Sequence, residues 1–194
     1  MKLLIATTNQ GKKKEIAALF EGSGIDLVFP SDLGITLEVE ETGATYAENA
    51  ALKAEAFCRL ANLPTLADDT GLEVEALDGR PGLHSARYVP IDGATDADRR
   101  VRLLEELQSK PAPWLARFFC TVALAVPGAI TNYFEGEIKG EILKQESGDN
   151  GFGYDRLFWV PQLNKTMADL TMEEKNQLSH RAVAVKKAIA YLNQ

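Results

Sequence analysis

The chain has 194 residues, 45% apolar and 25% charged, with a formal net charge of −7. That length suits one domain, organised as two lobes around a central cleft. The acidic balance excludes a general nucleic-acid binder, which needs a basic face, but it leaves room for a small phosphorylated ligand held by local lysines and a metal ion. No apolar run approaches the ~20 residues of a membrane span, and Met1 leads into a short apolar strand without the pattern of a secretory signal. The expectation is a soluble, cytoplasmic protein with no membrane or nucleic-acid partner. Its two cysteines, Cys58 and Cys120, read as buried reduced thiols.

In chain order, residues 2–7 read as a buried strand and 12–21 as a helix with Ile16, Leu19 and Phe20 inward. Gly22-Ser23-Gly24 stops that helix, Leu27-Val28-Phe29 is a short strand, and 31–43 is acidic and irregular. Thr45-x-x-Glu48 is a capping box opening an alanine-rich helix to about Ala61. Thr65-Leu66-Ala67 reads as a short strand running into Asp68-Asp69-Thr70-Gly71, and 72–76 as a second strand with one wet face. Residues 79–88 read as loop. Thr95-x-x-Asp98 caps a helix carrying Val101, Leu103, Leu104 and Leu107 inward. Residues 116–126 and 132–143 form a long hairpin around Pro127-Gly128, and 147–155 is a glycine-rich loop before a strand at 157–160. Thr171-x-x-Glu174 is a third box, and a terminal helix follows Ser179 with Val183, Val185, Ala188, Ile189 and Leu192 inward and Lys186 and Lys187 in water. Strands alternating with helices, with a hairpin between, give an α/β chain around a mixed sheet.

The corner Ala6-Thr7-Thr8-Asn9-Gln10-Gly11-Lys12 joins the first strand to a helix, where free N–H groups and the helix dipole favour phosphate. It is not a P-loop: Ala6 stands at the first glycine, and Lys13 stands where a hydroxyl would coordinate magnesium. Thr7, Thr8, Asn9 and Lys12 must therefore hold an anion in another geometry, with any metal supplied from elsewhere. Asp68-Asp69 reads either as strand-end ligands for a hard cation or as turn residues. Glu40-Glu41 reads either as a further carboxylate or as solvated surface. In Gly151-Phe152-Gly153-Tyr154-Asp155 an aromatic between glycines either stacks on a flat ligand or folds back onto the core. Ser179-His180-Arg181 is no hydrolase triad, because no Gly-x-Ser-x-Gly elbow occurs, and His84 reads as a loop residue. Lys175 and His180 can face one ligand only if the helix breaks between them. Lysines and Asn for phosphate, carboxylates for magnesium, an aromatic for a base and Arg for a base edge together describe a nucleoside triphosphate.

These residues, taken in order, resemble the inosine-triphosphate pyrophosphatase family, which hydrolyses non-standard purine nucleoside triphosphates. Thr7-Thr-Asn-Gln-Gly-Lys12 looks like its phosphate loop, Glu41-Thr-Gly-x-Thr-Tyr-x-Glu-Asn-Ala its second motif, and Ala67-Asp-Asp-Thr-Gly-Leu its acidic motif. Pro81-Gly with Ser85-Ala-Arg-Tyr is the fourth, and Gly151-Phe-Gly-Tyr-Asp and Lys175-x-x-x-Ser-His-Arg complete the set. Asp149-Asn150 departs from the family's glycine-rich lead into the fifth motif, which bears on the mobility of that loop, and the 90–96 connection is local to this chain. The resemblance implies an elongated mixed sheet, a homodimer, and magnesium-dependent cleavage of ITP, dITP or XTP to monophosphate and pyrophosphate. It implies that Thr7, Thr8, Asn9, Lys12 and Lys53 hold the phosphates, and that Gln10, Gly11 and Thr70 also bind substrate. Asp69 is then the general base, and Glu41 and Asp69 hold the metal, with Glu40 the alternative to Glu41. Phe152 stacks on the base, while Gly153, Tyr154, Asp155, Lys175, His180 and Arg181 complete the pocket. The rival functions are a purine-nucleotide sensor without hydrolysis and a pyrophosphatase of modified pyrimidine triphosphates.

Overall fold

The computed structural model describes residues 1–194. Apolar β-branched and leucine-rich runs form seven strands: β1 (Lys2–Ile5), β2 (Asp26–Val28), β3 (Thr65–Val74), β4 (Trp114–Ala125), β5 (Asn132–Ile142), β6 (Phe158–Val160) and β7 (Lys165–Thr166). They make one sheet in the order β2-β1-β3-β4-β5-β6-β7. β1 pairs in parallel with β2 and β3, whereas β6 pairs antiparallel with β5 and β7, so the sheet is mixed as the element pattern predicts. Five helices accompany it: α1 (Gln10–Leu19), α2 (Tyr46–Ala61), α3 (Asp96–Leu107), α4 (Met172–Leu178) and α5 (His180–Leu192). None is long and apolar enough to cross a membrane. Cys58 and Cys120 are buried and not joined in a disulfide, as expected.

Helix starts follow local chemistry. The Thr45 hydroxyl accepts from Glu48 N, and Thr95 and Asp98 close a reciprocal capping box. Thr171 and Glu174 also bond each other's backbone N–H, at 2.8 and 3.2 Å. At α2 the box is only half made, because the Glu48 carboxylate reaches past Thr45 to accept from Ala44 N.

Four expectations need correction. The two short strands around Asp68-Asp69 are one ten-residue strand, β3, because Thr70-Gly71 stays extended. Val101 is 54% exposed; the inward stripe of α3 runs through positions 100, 103, 104 and 107, and so buries Arg100 instead. Within the loop expected at 79–88, a 3-10 helix spans Gly82–Arg87. The first helix begins two residues early, at Gln10, because Asn9 is its N-cap.

The chain forms two compact units: Met1–Asp69 with Cys120–Gly136 and Ser179–Gln194, and Thr70–Phe119 with Glu137–Leu178. In the first unit the β-pleat sends alternate residues to two cores. Leu3, Ile5 and Leu66 pack with Ile16 of α1 and Val185 and Ala188 of α5. Leu4, Ala6 and Ala67 pack with Ala50, Ala54 and Phe57 of α2. The second unit has one core, built around Leu72, Leu103, Leu107, Phe118, Tyr154 and Phe158, with the Phe118 and Phe158 rings 4.5 Å apart.

Candidate active site

In the first unit β1 stops at Ile5 while its parallel neighbour β3 runs on past Leu66, the last residue paired with it. Ala6 N still donates to Leu66 O at 2.8 Å, and then the chain leaves the sheet. Asp68 and Asp69 therefore lie just beyond the carboxyl end of β1, where open α/β sheets bind ligands. The same corner holds the start of α1. The Thr7 hydroxyl accepts from Asn9 N at 3.2 Å, and the Asn9 side chain accepts from Lys12 N at 3.0 Å. Thr8, Asn9 and Gln10 are exposed, and Thr7, Gly11 and Lys12 are half-buried.

The two aspartates diverge because successive strand residues face opposite ways. Asp68 shares its face with Leu66 and points toward α1 and α5. Lys12 Nζ stands 3.0 Å from it and Arg181 Nε 3.1 Å, and Arg181 also pairs with Glu15. The Asp68 and Arg181 side chains are 1% and 2% exposed. Burial alone would raise the Asp68 carboxyl, but Lys12, Arg181 and Lys53 outweigh it and hold it far below the usual carboxylate range. Burial likewise opposes charge on Arg181, and Asp68 and Glu15 overcome it.

Asp69 shares its face with Ala67 and points toward α2. Asn49 Nδ2 donates to it at 3.1 Å, and Lys53 Nζ stands 3.9 Å away while contacting Glu41 at 2.6 Å. Here burial wins: with Glu41 adding repulsion, the Asp69 carboxyl is raised despite Lys53, Lys12 and the Asn49 bond. Glu41 sits on an irregular loop held by Asn49, whose Oδ1 accepts from Gly43 N at 2.8 Å.

The chemistry of this donor set fits a magnesium ion. Glu41 and Asp69 converge on one ammonium, leaving one net negative charge. No group of three acidic, histidine or cysteine side chains stands ready to enclose a metal. Magnesium characteristically takes one or two carboxylates and completes its shell with water and substrate phosphates.

The second unit places the glycine-rich loop. Asp155 is buried, accepting from Phe152 N at 2.9 Å and from Lys175 Nζ at 2.7 Å. Lys175 lies 5.2 Å from the centroid of the half-buried Phe152 ring, within cation–π range. Tyr154 is not a ligand-facing ring: it is buried, and its hydroxyl donates to Ser85 O at 2.9 Å. Gly151 adopts φ +76°, and a Cβ there would run into the Asp155 carboxylate. The Asp149-Asn150 departure pins this loop: Asn150 donates from its backbone to Ala168 O and from its side chain to Leu170 O. Thr70 is half-buried on β3.

A sequence model described as the Ham1 family matches residues 3–191. The dITP/XTP pyrophosphatase of Listeria monocytogenes serotype 4b is 46% identical over 187 residues, covering 96% of this chain and 92% of the relative. The protein of the same name from Geobacillus kaustophilus is 48% identical, covering 96% and 91%. Among solved structures, a HAM1 protein from Coxiella burnetii superposes with a TM-score of 0.90 at 35% identity over 100% of this chain and 98% of that one. The Staphylococcus aureus Ham1 protein gives 0.87 at 40% identity with the same coverage.

The chain belongs to the Ham1 family. The resemblance carried by the six motifs and the expected mixed α/β sheet are both borne out. Within this Ham1 chain, one expected placement changes and one condition is met. Arg181 does not hold its guanidinium out toward a base edge; it is buried between Asp68 and Glu15. The helix does break between Lys175 and His180, at Ser179, which caps α5 by accepting from Ala182 N. His180 is buried at the first position of α5. α5 can start so close to β5 because a Cβ at Gly136 would strike the His180 carbonyl.

Two working residues were missed in the sequence, and both had a visible signal. Glu15 sits with Lys12, Ile16 and Leu19 on the inward stripe of α1, a carboxylate where a hydrocarbon belongs. Asn49 occupies the alanine face of α2 and is 1% exposed. A lone polar side chain on an apolar stripe needs a buried partner.

Proposed function

We propose that this protein is a nucleoside triphosphate pyrophosphatase that converts ITP, dITP or XTP to the monophosphate and pyrophosphate. The observation that carries the reading is the pair of carboxylates, Glu41 and Asp69, converging on Lys53 beside the capped start of α1. The names of the Listeria and Geobacillus relatives support the substrate class.

In this reading Thr7, Thr8, Asn9, Gln10 and Gly11 present hydroxyls, an amide and first-turn N–H groups to the phosphates, and Thr70 adds a hydroxyl. Lys12 and Lys53 supply positive charge. Asp69, with its raised carboxyl, takes a proton from the attacking water. The water oxygen bonds the α-phosphorus, the α–β bridging P–O bond breaks, and its electron pair leaves with pyrophosphate. Glu41 and Asp69 would hold magnesium, which neutralises phosphate charge and lowers the barrier to deprotonating water. Phe152 offers its ring to the base, with Gly153, Asp155 and Lys175 shaping that loop and Tyr154 anchoring it. Arg181 and His180 brace the site from behind through Asp68 and the start of α5.

The assembly we assign is a homodimer, which the family resemblance supports, and the compartment is the cytoplasm, which the two unbridged cysteines support. The deciding experiment incubates a panel of purine and pyrimidine nucleoside triphosphates with magnesium and quantifies monophosphate, diphosphate, pyrophosphate and orthophosphate. Inosine and xanthosine triphosphates should give monophosphate and pyrophosphate fastest. Diphosphate with orthophosphate as first products, or binding without turnover, would overturn the reading.

A further inference from the structure

The second unit holds a device that the proposed reaction leaves unused, at the first turn of α3. Asp96 opens this helix directly after its N-cap, Thr95. Its Oδ2 accepts from Gly153 N at 2.7 Å, while its Oδ1 accepts from Arg99 at 2.7 Å. One turn on, Arg100 donates through NH1 to Gly153 O at 2.8 Å and through Nε to Glu146 at 2.7 Å. Both polar groups of Gly153 are thus held by side chains of one helix, 57 and 53 residues away in sequence.

Phe152 stands immediately before. Its own N–H is held by Asp155 at 2.9 Å, so the amides on either side of its Cα are both fixed by carboxylates. Gly151 and Gly153 adopt φ of +76° and +60°, and glycine pairs of this kind give a loop many competing conformations unless outside contacts select one. Arg100 also stands where a packing argument expects a hydrocarbon: it is buried on the stripe that carries Leu103 and Leu107. A buried guanidinium is costly unless its donors are met, and here the loop carbonyl and Glu146 meet them.

We propose that Asp96 and Arg100 are positioning residues for nucleobase recognition, fixing the Gly153 peptide so that the Phe152 ring is held ready for a flat heterocycle. This rests on the reading of Phe152 as the base platform. Neither residue touches substrate; both act through the loop. The Asp96–Gly153 bond is charge-assisted, as is the Arg100–Gly153 bond.

The test is a mutant cycle on the full-length protein with inosine triphosphate and magnesium. Phe152→Ala, Asp96→Ala and Arg100→Ala should each raise KM roughly ten-fold while kcat stays within about two-fold, the pattern of lost binding shared by ground and transition states. Asp96→Asn keeps an acceptor for Gly153 N and should recover most of the loss. In the Phe152→Ala background, Asp96→Ala should add less than about two-fold, since coupled residues are non-additive. A full ten-fold increase repeated in that background would show that Asp96 acts elsewhere and overturn the proposal. So would wild-type KM in a folded Asp96→Ala protein. If Phe152→Ala itself leaves KM unchanged, the platform reading fails and takes this inference with it, a result distinct from the first two. Arg100 is buried, so should its variant fail to fold, Asp96, whose side chain is 41% exposed, decides the matter.

Discussion

Asp68 meets Lys12 and Arg181 on one side of β3 and is sealed from solvent, its carboxyl held far below the usual range. Asp69, the next residue, meets Asn49 and shares Lys53 with Glu41, and its carboxyl is raised. One peptide bond separates them, and the pleat of the strand assigns them to opposite faces. Neighbouring carboxylates with oppositely displaced acidities mark a division of labour. The one whose charge is matched on all sides serves structure; the one left short of positive charge can accept a proton.

The sharpest way to break this comparison is Asp69→Asn. A positioned base contributes ~10²–10⁴-fold to rate, so kcat should fall by that much. The melting temperature should hold or rise, because an anion that burial disfavours is gone. In the wild type, the acid limb of kcat/KM should lie above the ordinary carboxylate value of about 4, since the proposed base must be ionised and burial raises the Asp69 carboxyl on folding. An acid limb at or below that value, or unchanged turnover in Asp69→Asn, would transfer the base role to another group.

Arg181→Ala tests the other face. Removing one partner of a buried ionic cluster strips the guanidinium from Glu15 and leaves Asp68 with Lys12 as its close cation, a cost of about 3–5 kcal/mol in unfolding free energy. Because the Asp68 carboxyl is lowered on folding, its stabilisation is fully present above the unfolded value and is lost as pH falls toward the folded one. Denaturant melts should therefore show the variant's deficit at neutral pH shrinking in acid. A deficit below about 1 kcal/mol at neutral pH would mean that the cluster does not hold this face together.

The smallest effect is expected at Asn49→Ala, which should lower kcat about ten-fold and stability by about 1–3 kcal/mol by unpairing Gly43 N and one Asp69 oxygen. A stability loss with wild-type kcat would make Asn49 a loop anchor only.

The helix starts were legible because their signals are local: Thr95 and Asp98, or Thr171 and Glu174, satisfy each other three residues apart. The residue types for phosphate and cation chemistry were legible too, since few side chains suit either. What failed was whatever distant partners decide. Thr70-Gly71 looks like a turn to any local rule, yet β3 runs through it. The displacement of Arg181 from a base edge to a buried cluster depends on partners 113 and 166 residues away, Asp68 and Glu15. Val101 went to the wrong face because Arg100 took the inward place, and that choice answers to Gly153 rather than to hydropathy.

Lys53 closes the space between Glu41 and Asp69 with a tethered cation. Any free dication approaching this pair must therefore exchange with an ammonium that cannot diffuse away, and its affinity for the empty site is reduced accordingly. A triphosphate changes that equilibrium, since it offers the ammonium new oxygens to move to. In the proposed reading, occupancy of the carboxylate pair would be conditional on the polyanion, and without it Lys53 screens the two carboxylates from each other's repulsion.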